Sequence, residues 1–407
     1  MKQLMPQYDE VGQYAEIQRN FIDSLSQKMD LTRLGNHFSP FPLMVDRQIS
    51  EQIKTTHQVL VKAIESLVTH YLDDERIQAI LPLSDTHKQW IQWESHRPYR
   101  LFSIRPDFLI SQTNTIKICE INARFTLNGF VSAYYLHQQL AEDYGETLEL
   151  EHELEQIITG YLSRFDLMKP IMLLRDQEVG YDLNLLKDRL LDHGVDVIDI
   201  TPNDLALTAE GVSAKGVICE QIILELHQSE LSTIDDRIMQ HLISSVNYVN
   251  DLRTIMIAHD KRLLVLLSNP HIMSRYLTEQ EVRCLTRHII PTHLVNTVAD
   301  DIITHKDRWV LKKCQSGKGE GMYVGLDCDL NAIQQVVSEL SPVYIAQPYL
   351  KQKQIDLFFN GRTQTCRGVG MILSLNGAYH GTGYFRFSTE HIIALSRGGC
   401  AVAACFK

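Results

Sequence analysis

Paired cysteines are missing from this chain. Its eight cysteines (Cys119, Cys219, Cys284, Cys314, Cys328, Cys366, Cys400 and Cys405) form no CxxC, and only Cys400 and Cys405 lie close together. That excludes a disulfide framework and a zinc pattern, and it suits a reducing cytoplasm. Long apolar runs are missing too. None approaches the ~20 residues of a spanning helix, and the opening MKQLMPQYDEVGQY lacks the apolar stretch of a secretion signal. The expectation is a cytoplasmic protein with no membrane partner. Positive charge is scarce: 39 Lys and Arg against 50 Asp and Glu leave a formal −11. That balance argues against a nucleic-acid partner, which needs a concentrated basic face, although a local basic pocket stays open. No G-x-G-x-x-G follows a strand, the Walker A spacing is absent, and the seventeen histidines include no H-E-x-x-H.

What is present is the composition of a soluble globular chain, 44% hydrophobic and 22% charged. At 407 residues it is too long for one core, so two or three subdomains are expected. Apolar residues at helical spacing in AEIQRNFIDSLSQKM and HQVLVKAIESLVTHYL predict helices through the first ~95 residues, interrupted by HFSPFPLMV. YRLFSIRPDFLI and TIKICEINARF read as two antiparallel strands joined by the turn SQTN, with a helix, GFVSAYYLHQQLAEDY, after them. KPIMLLR, an amphipathic helix ending at Gly194, VDVIDI and GVICEQIILEL give a β-α-β rhythm and hence a small parallel sheet. DRIMQHLISSVNYV, KRLLVLLSN and TEQEVRCLTRH return to helix. The last third alternates strands and helices around glycine-rich loops.

Three stretches carry chemistry. In RPDF and CEIN, hydrophilic residues occupy strand positions where a core favours Val or Ile. Glu120 and Asn122 share a face because the strand period is two, and Arg105 shares one with Asp107. Oxygen donors from carboxylate and amide suit Mg²⁺, whose remaining ligands are commonly water and substrate phosphate. Arg105 is placed to meet a phosphate. WVLKKCQSGKGEGMYVG is a strand, a glycine loop and a second strand. Gly317, Gly319 and Gly321 free backbone N–H groups to approach phosphate oxygens, and Lys312 and Lys318 add charge. Taken alone, this loop is equally a glycine-rich hairpin with solvated lysines. PVYIAQPYLK, a strand running into Gln347-Pro348-Tyr349-Leu350, offers backbone groups to a base edge or, taken alone, is an edge strand closed by Pro348.

Together these residues resemble the ATP-grasp superfamily in its circularly permuted form, as in glutathionylspermidine synthase-like carboxylate–amine ligases. The metal strands come first, and the lysine loop and hinge follow far downstream, which is the permuted order. AHDKRLLVLLSNP and LTEQEVRCLTRHIIPTHLV resemble the connection before the nucleotide-binding half. The resemblance spans residues ~95 to 400. It implies an α/β fold: a circularly permuted ATP-grasp core, a small parallel α/β subdomain and an N-terminal helical segment. The divisions expected are 1–95 (helical), 96–150 (metal strands), 151–230 (parallel subdomain) and 231–407 (connection and nucleotide-binding half). Carried over by residue, it makes Asp107, Glu120 and Asn122 the Mg²⁺ ligands. Lys312 and Lys261 become nucleotide lysines, and Gly317, Gly319 and Gly321 the cover over the triphosphate. Gln347 to Leu350, with Tyr349 among them, become the adenine hinge. Arg105 and Arg386, the latter in GTGYFRFS, would stabilise an acyl phosphate. Gln354 and Asp356 are the candidates for the ribose.

The implied activity is ATP-dependent amide formation between a small amino-acid-like or specialised carboxylic acid and an amine, releasing ADP and phosphate. ATP and Mg²⁺ are the implied cofactors, and a homodimer is compatible with the resemblance. Nearly all the reactants are anionic, so lysines, arginines and Mg²⁺ together serve to offset repulsion. A phosphotransferase on the same fold would use the same residues without an acyl product. A non-catalytic nucleotide-binding protein is the second alternative, and it has no need of the complete oxygen-donor set.

Overall fold

In this computed structural model, residues 1–5, 11–32, 37–145, 154–177, 180–317, 319–359 and 361–406 are described. The strands Ser103–Ile110 and Ile116–Asn122 form the expected antiparallel hairpin, with Arg105 opposite Asn122 and Asp107 opposite Glu120. Its even-numbered residues Ile104, Phe108 and Ile110 join the main core, while Arg105, Asp107 and Leu109 face the cavities described below. The register shifts at Asp107/Phe108, so that Phe108 pairs with Ile118 and Cys119 is left over. Such a bulge bends the strand and re-aims the groups beside it.

This hairpin sits in a ten-stranded, mostly antiparallel sheet. Arg362–Met371 pairs with Ser103–Ile110 on one side and Tyr384–Ser388 on the other, and Cys400–Phe406 follows. The N-terminal segment is more than helical. Lys2–Gln3 and Leu43–Val45 extend the sheet, Leu43–Val45 running parallel to Cys400–Phe406. One- and two-pair strands are too short to leave a period in the sequence. The helix Arg47–Thr69 lays Ile49, Ile53, Leu60, Ile64 and Leu67 onto the hairpin's core face. A second core joins the helices Val11–Ser26, Phe130–Tyr144, Leu154–Leu162 and Tyr181–Asp192 to the other side.

The β-α-β expectation holds, with one addition. Four parallel strands run in the order Asn247–Val249, Gln221–Leu224, Ile171–Leu174, Val197–Ile200. The helical reading of DRIMQHLISSVNYV therefore stops at Ser245, and its tail is the edge strand. GVICEQIILEL likewise splits: Val217–Ile218 belongs to a separate three-stranded antiparallel sheet and Gln221–Leu224 to the parallel one. The last unit is a four-stranded sheet of His293–Leu294, Tyr344–Pro348, Trp309–Lys313 and Met322–Val324, backed by the helices Ala299–Thr304 and Leu330–Glu339. It has its own core, centred on Val295, Ile302, Leu311, Ile333 and Val336. Among the described residues no helix is long and apolar enough to cross a membrane.

Candidate active site

Two cavities meet at the hairpin. The first lies between it and the four-stranded sheet, lined by Lys312, Gly319, Met322 and Gln347 through Leu350, with Ile290, Val310 and Val324 as apolar walls. The second opens toward the parallel subdomain and is lined by Arg105, Asn122, Phe125, Asp182, His259 and Tyr384, among others. Asp107, Glu120, Arg386 and Ala394 line both.

Asp107 is the electrostatic centre of the shared wall. Its Oδ1 accepts from Arg105 Nε at 3.2 Å, and its Oδ2 accepts from Arg386 Nη2 at 2.5 Å and from Asn122 Nδ2 at 3.2 Å. Burial works against the Arg386 charge, but Asp107 holds the guanidinium more basic than usual. Arg386 Nε is buried with no hydrogen-bond partner among the described residues. Asn122 is anchored through its Nδ2, which also donates to Arg105 O at 3.3 Å.

Glu120 stands beside Asp107 with 24% of its side chain exposed and pairs with Lys261 Nζ at 3.0 Å. Burial alone would raise its carboxyl, but Lys261 and Lys312 outweigh that and hold it down to about 2. It is therefore ionised at neutral pH. Lys261 also donates to Ser316 O, so it ties the hairpin carboxylate to the glycine loop and lines neither cavity. Lys312 is buried and donates to Cys119 O at 3.1 Å; Gln347 Nε2 reaches the same oxygen at 3.5 Å and Thr292 Oγ1 at 3.0 Å. The Cys119 thiol, pushed up to about 12 by burial, is inert at neutral pH.

The glycine loop divides between the cavities. Gly319 faces the first and Gly317 the second, whereas Gly321 lines neither and packs on Lys313 and Tyr344. Gly319 has φ +75°, and a Cβ there would lie 2.7 Å from Ile392 Cγ2, so only glycine fits beneath that loop. Lys318 lies outside the described residues. The ribose candidates are placed away from the cavity: Asp356 is exposed and accepts from Thr365 Oγ1 at 2.6 Å, and Gln354 is exposed on the same segment. Gln352 and His391 line the cavity in their stead, and Gln352 Oε1 is buried with no hydrogen-bond partner among the described residues.

Sequence reasoning missed His259. Its Nδ1 accepts from the Ala123 N–H at 3.3 Å, which places the ring hydrogen of the neutral form on Nε2. Burial, then Arg124 and Lys261, press its pKa well down. The ring is thus a neutral donor beside the second cavity, and its only sequence signal is its place two residues before Lys261. Asp182 was missed as well. It accepts from the Gly129 and Ser132 N–H groups and so clamps the N-terminus of the Phe130–Tyr144 helix from the parallel subdomain.

Among the described residues no three His, Cys, Asp or Glu side chains cluster as a metal site. Two neighbouring carboxylates and an amide oxygen nevertheless share one wall, a donor set that suits Mg²⁺ when phosphate and water complete the shell.

A model of the AnkG N-terminal domain family matches residues 56–257. A curated protein of Aspergillus thermomutatus, ATP-grasp enzyme ankG, is 21% identical over 435 residues, covering 90% of this chain and 88% of that protein. A solved structure, D-alanyl-alanine synthetase A from Vibrio cholerae O1 biovar eltor, aligns at 12% identity with a TM-score of 0.27, covering 50% of this chain and 68% of that one.

Proposed function

We propose that this chain is a circularly permuted ATP-grasp enzyme that joins a small carboxylic acid to an amine through an acyl phosphate. The observation that carries the reading is the wall shared by the two cavities, where Asp107, Glu120 and Arg386 face both. A phosphoryl group passed from one cavity to the other has to cross that wall. The similarity over 90% of the chain to a protein named an ATP-grasp enzyme supports the same reading.

ATP occupies the first cavity, with its base between Ile290, Val310 and Val324 and against the Gln347–Leu350 backbone. Lys312 meets its phosphates and Gly319 lets the loop close over them. Mg²⁺, held by Asp107, Glu120 and the Asn122 amide oxygen, would supply positive charge that offsets the crowded phosphate oxygens. The acid lies in the second cavity, and its carboxylate oxygen attacks the γ-phosphorus. The bond to the β,γ-bridging oxygen breaks and ADP leaves. Arg105 and Arg386 gather the charge spread over the transferred group. The amine nitrogen then attacks the acyl carbon, the carbon–oxygen bond to phosphate breaks, and the amine gives up its proton to solvent as phosphate departs. The parallel subdomain walls the second cavity and selects the acid.

The test is product analysis with pooled amino acids and polyamines. Amine-dependent ADP and phosphate, a hydroxamate trapped by hydroxylamine, and ¹⁸O passing from labelled carboxylate into phosphate are expected. AMP and pyrophosphate would instead show adenylation and overturn the mechanism. Phosphorylated acid as the end product would show a phosphotransferase.

A further inference from the structure

A third cavity lies apart from both of these and shares no lining residue with them. Its volume is about 480 Å³, the size of a small-molecule site. It is bounded by the end of the helix Asp85–Glu94, the loop that carries Arg97 and Arg100, Arg164 beyond the helix Leu154–Leu162, and the start of the edge strand Asn247–Val249.

Three arginines surround it. The Arg97 guanidinium lies 5.4 Å over the Tyr248 ring and donates to Val246 O at 3.3 Å. The Arg164 guanidinium lies 5.4 Å over the Phe102 ring. Tyr248, Val246 and Phe102 all line the cavity, so both cations are at its wall. Arg100 is exposed beside them. Among the described residues none of the three forms an ion pair, although many of the chain's other arginines do.

The acids at this wall do not use up that charge. Asp251 is spent on Arg253, which grips both its oxygens at 3.0 and 2.7 Å. Glu94 is 1% exposed; its Oε1 accepts from Tyr248 O–H at 2.5 Å, and among the described residues its Oε2 has no hydrogen-bond partner. Burial and then Asp251 push this carboxyl up from its ordinary range, which favours the protonated form, an O–H donor. A chain of net −11 has thus gathered, around one hollow, positive charge that forms no ion pair among the described residues and a buried carboxyl with one oxygen left over. Guanidinium forks above aromatic faces match the oxygens of phosphate and carboxylate groups.

We propose that this cavity binds a small, multiply charged oxyanion, phosphorylated or polycarboxylic, through Arg97, Arg100, Arg164 and Glu94. The cavity's lining runs along the strand Asn247–Val249 and on to Asp251. Between Val249 and Asp251, Asn250 donates to the Ala123 and Arg124 carbonyls beside the active site.

The proposal is independent of the ligase reading, and so is its test. Inorganic pyrophosphate and succinate are titrated calorimetrically into the full chain and into Arg100→Ala, Arg164→Ala and Lys312→Ala. Arg100 and Arg164 are exposed, so their truncation leaves the fold intact. At least one probe should bind, at least about tenfold more weakly to each arginine variant and within about twofold of normal to Lys312→Ala. Pyrophosphate alone identifies a phosphorylated ligand; binding of succinate identifies a carboxylated one. The proposal fails if neither probe binds below about 10 mM, if the arginine variants bind as the parent does, or if only Lys312→Ala loses binding, since the probe then sits in the first cavity.

Discussion

Lys312 Nζ donates to the backbone oxygen of Cys119 at 3.1 Å, and Cys119 is the residue left out of register by the bulge in the hairpin. One irregularity thus seats the lysine of one lobe against the oxygen-donor strand of the other. Replacing Lys312 with alanine removes both the proposed phosphate contact and this tether. A charge-assisted hydrogen bond of about 1.5–3 kcal/mol corresponds to a loss of roughly 10- to 150-fold. ATP affinity should fall by that factor in calorimetry with a non-hydrolysable analogue. Unchanged affinity would leave Lys312 as a tether only.

That bulge is legible in the sequence. Along IKICEINA the buried apolar residues move from even positions, Ile116 and Ile118, to odd ones, Ile121 and Ala123. A period of two cannot change parity without one extra residue, and Cys119 is that residue. The hairpin, the glycine loop and the strand running into Gln347–Leu350 were legible for the same reason: each is a local pattern. The cavity wall formed by Gln352 and His391 was not. Gln352 enters it through a single bridge to Ser111, and His391 through a loop fixed by its contacts to Asp327. Neither arrangement leaves a periodic trace. Strands of two or three residues, such as Lys2–Gln3 and Asn247–Val249, are similarly defined by partners far along the chain.

Asn122→Ala removes the amide oxygen of the proposed cation site and two hydrogen bonds of its Nδ2. Those bonds are worth about 1 kcal/mol each, so the fold should survive. Turnover at ordinary Mg²⁺ should drop by about two orders of magnitude, as for loss of a catalytic charge contact. Partial recovery at high Mg²⁺ or with Mn²⁺ is expected. Near-normal activity at ordinary Mg²⁺ would remove Asn122 from the metal shell.

Gly319→Ala places a methyl 2.7 Å from Ile392 in a left-handed backbone conformation. The conformational penalty is about 1–2 kcal/mol. The loop has to lift, so binding of an ATP analogue should weaken about tenfold while succinate or pyrophosphate binding at the distant cavity is unaffected. A variant with full nucleotide affinity would show that the loop does not close on the phosphates.

Glu225 gives the pH dependence its sign. It is fully buried, accepting from the Thr126 N–H at 2.9 Å and from Thr126 Oγ1 at 2.5 Å. Burial pushes its carboxyl from the ordinary 4.5 up to about 8. Below the ordinary value both folded and unfolded chains hold the proton, and this group's contribution to stability is fully present. Between there and about 8 the unfolded chain releases the proton while the folded one keeps it, so stability is lost as pH rises. Glu225→Gln keeps an acceptor for Thr126 and cannot ionise. Its melting temperature should therefore fall less than the parent's from pH 5 to pH 8, with a gap on the order of 1–3 kcal/mol at the upper end. Parallel curves would show that Glu225 is ionised in the folded chain.

Arg386 separates two roles that one alanine substitution would confuse. Its Nη2 pairs with Asp107, while its Nε is buried with no hydrogen-bond partner among the described residues, in a side chain that lines both cavities. A lysine at 386 keeps the charge and can still pair with Asp107, but it forfeits the second N–H of the fork. If Arg386 only balances Asp107, Arg386→Lys should act almost as the parent does. If the guanidinium also holds the phosphoryl group in transit, its contact strengthens as charge spreads over the equatorial oxygens, and the loss falls on kcat. We expect kcat to drop about 100-fold or more, with the KM for ATP within about threefold, since loss of one oxyanion contact costs roughly 2.7–4 kcal/mol. Hydroxamate trapped per turnover distinguishes the steps. An unchanged ratio with slower trapping places the loss in acyl-phosphate formation, whereas normal trapping with slow amide release would move Arg386 to the second step.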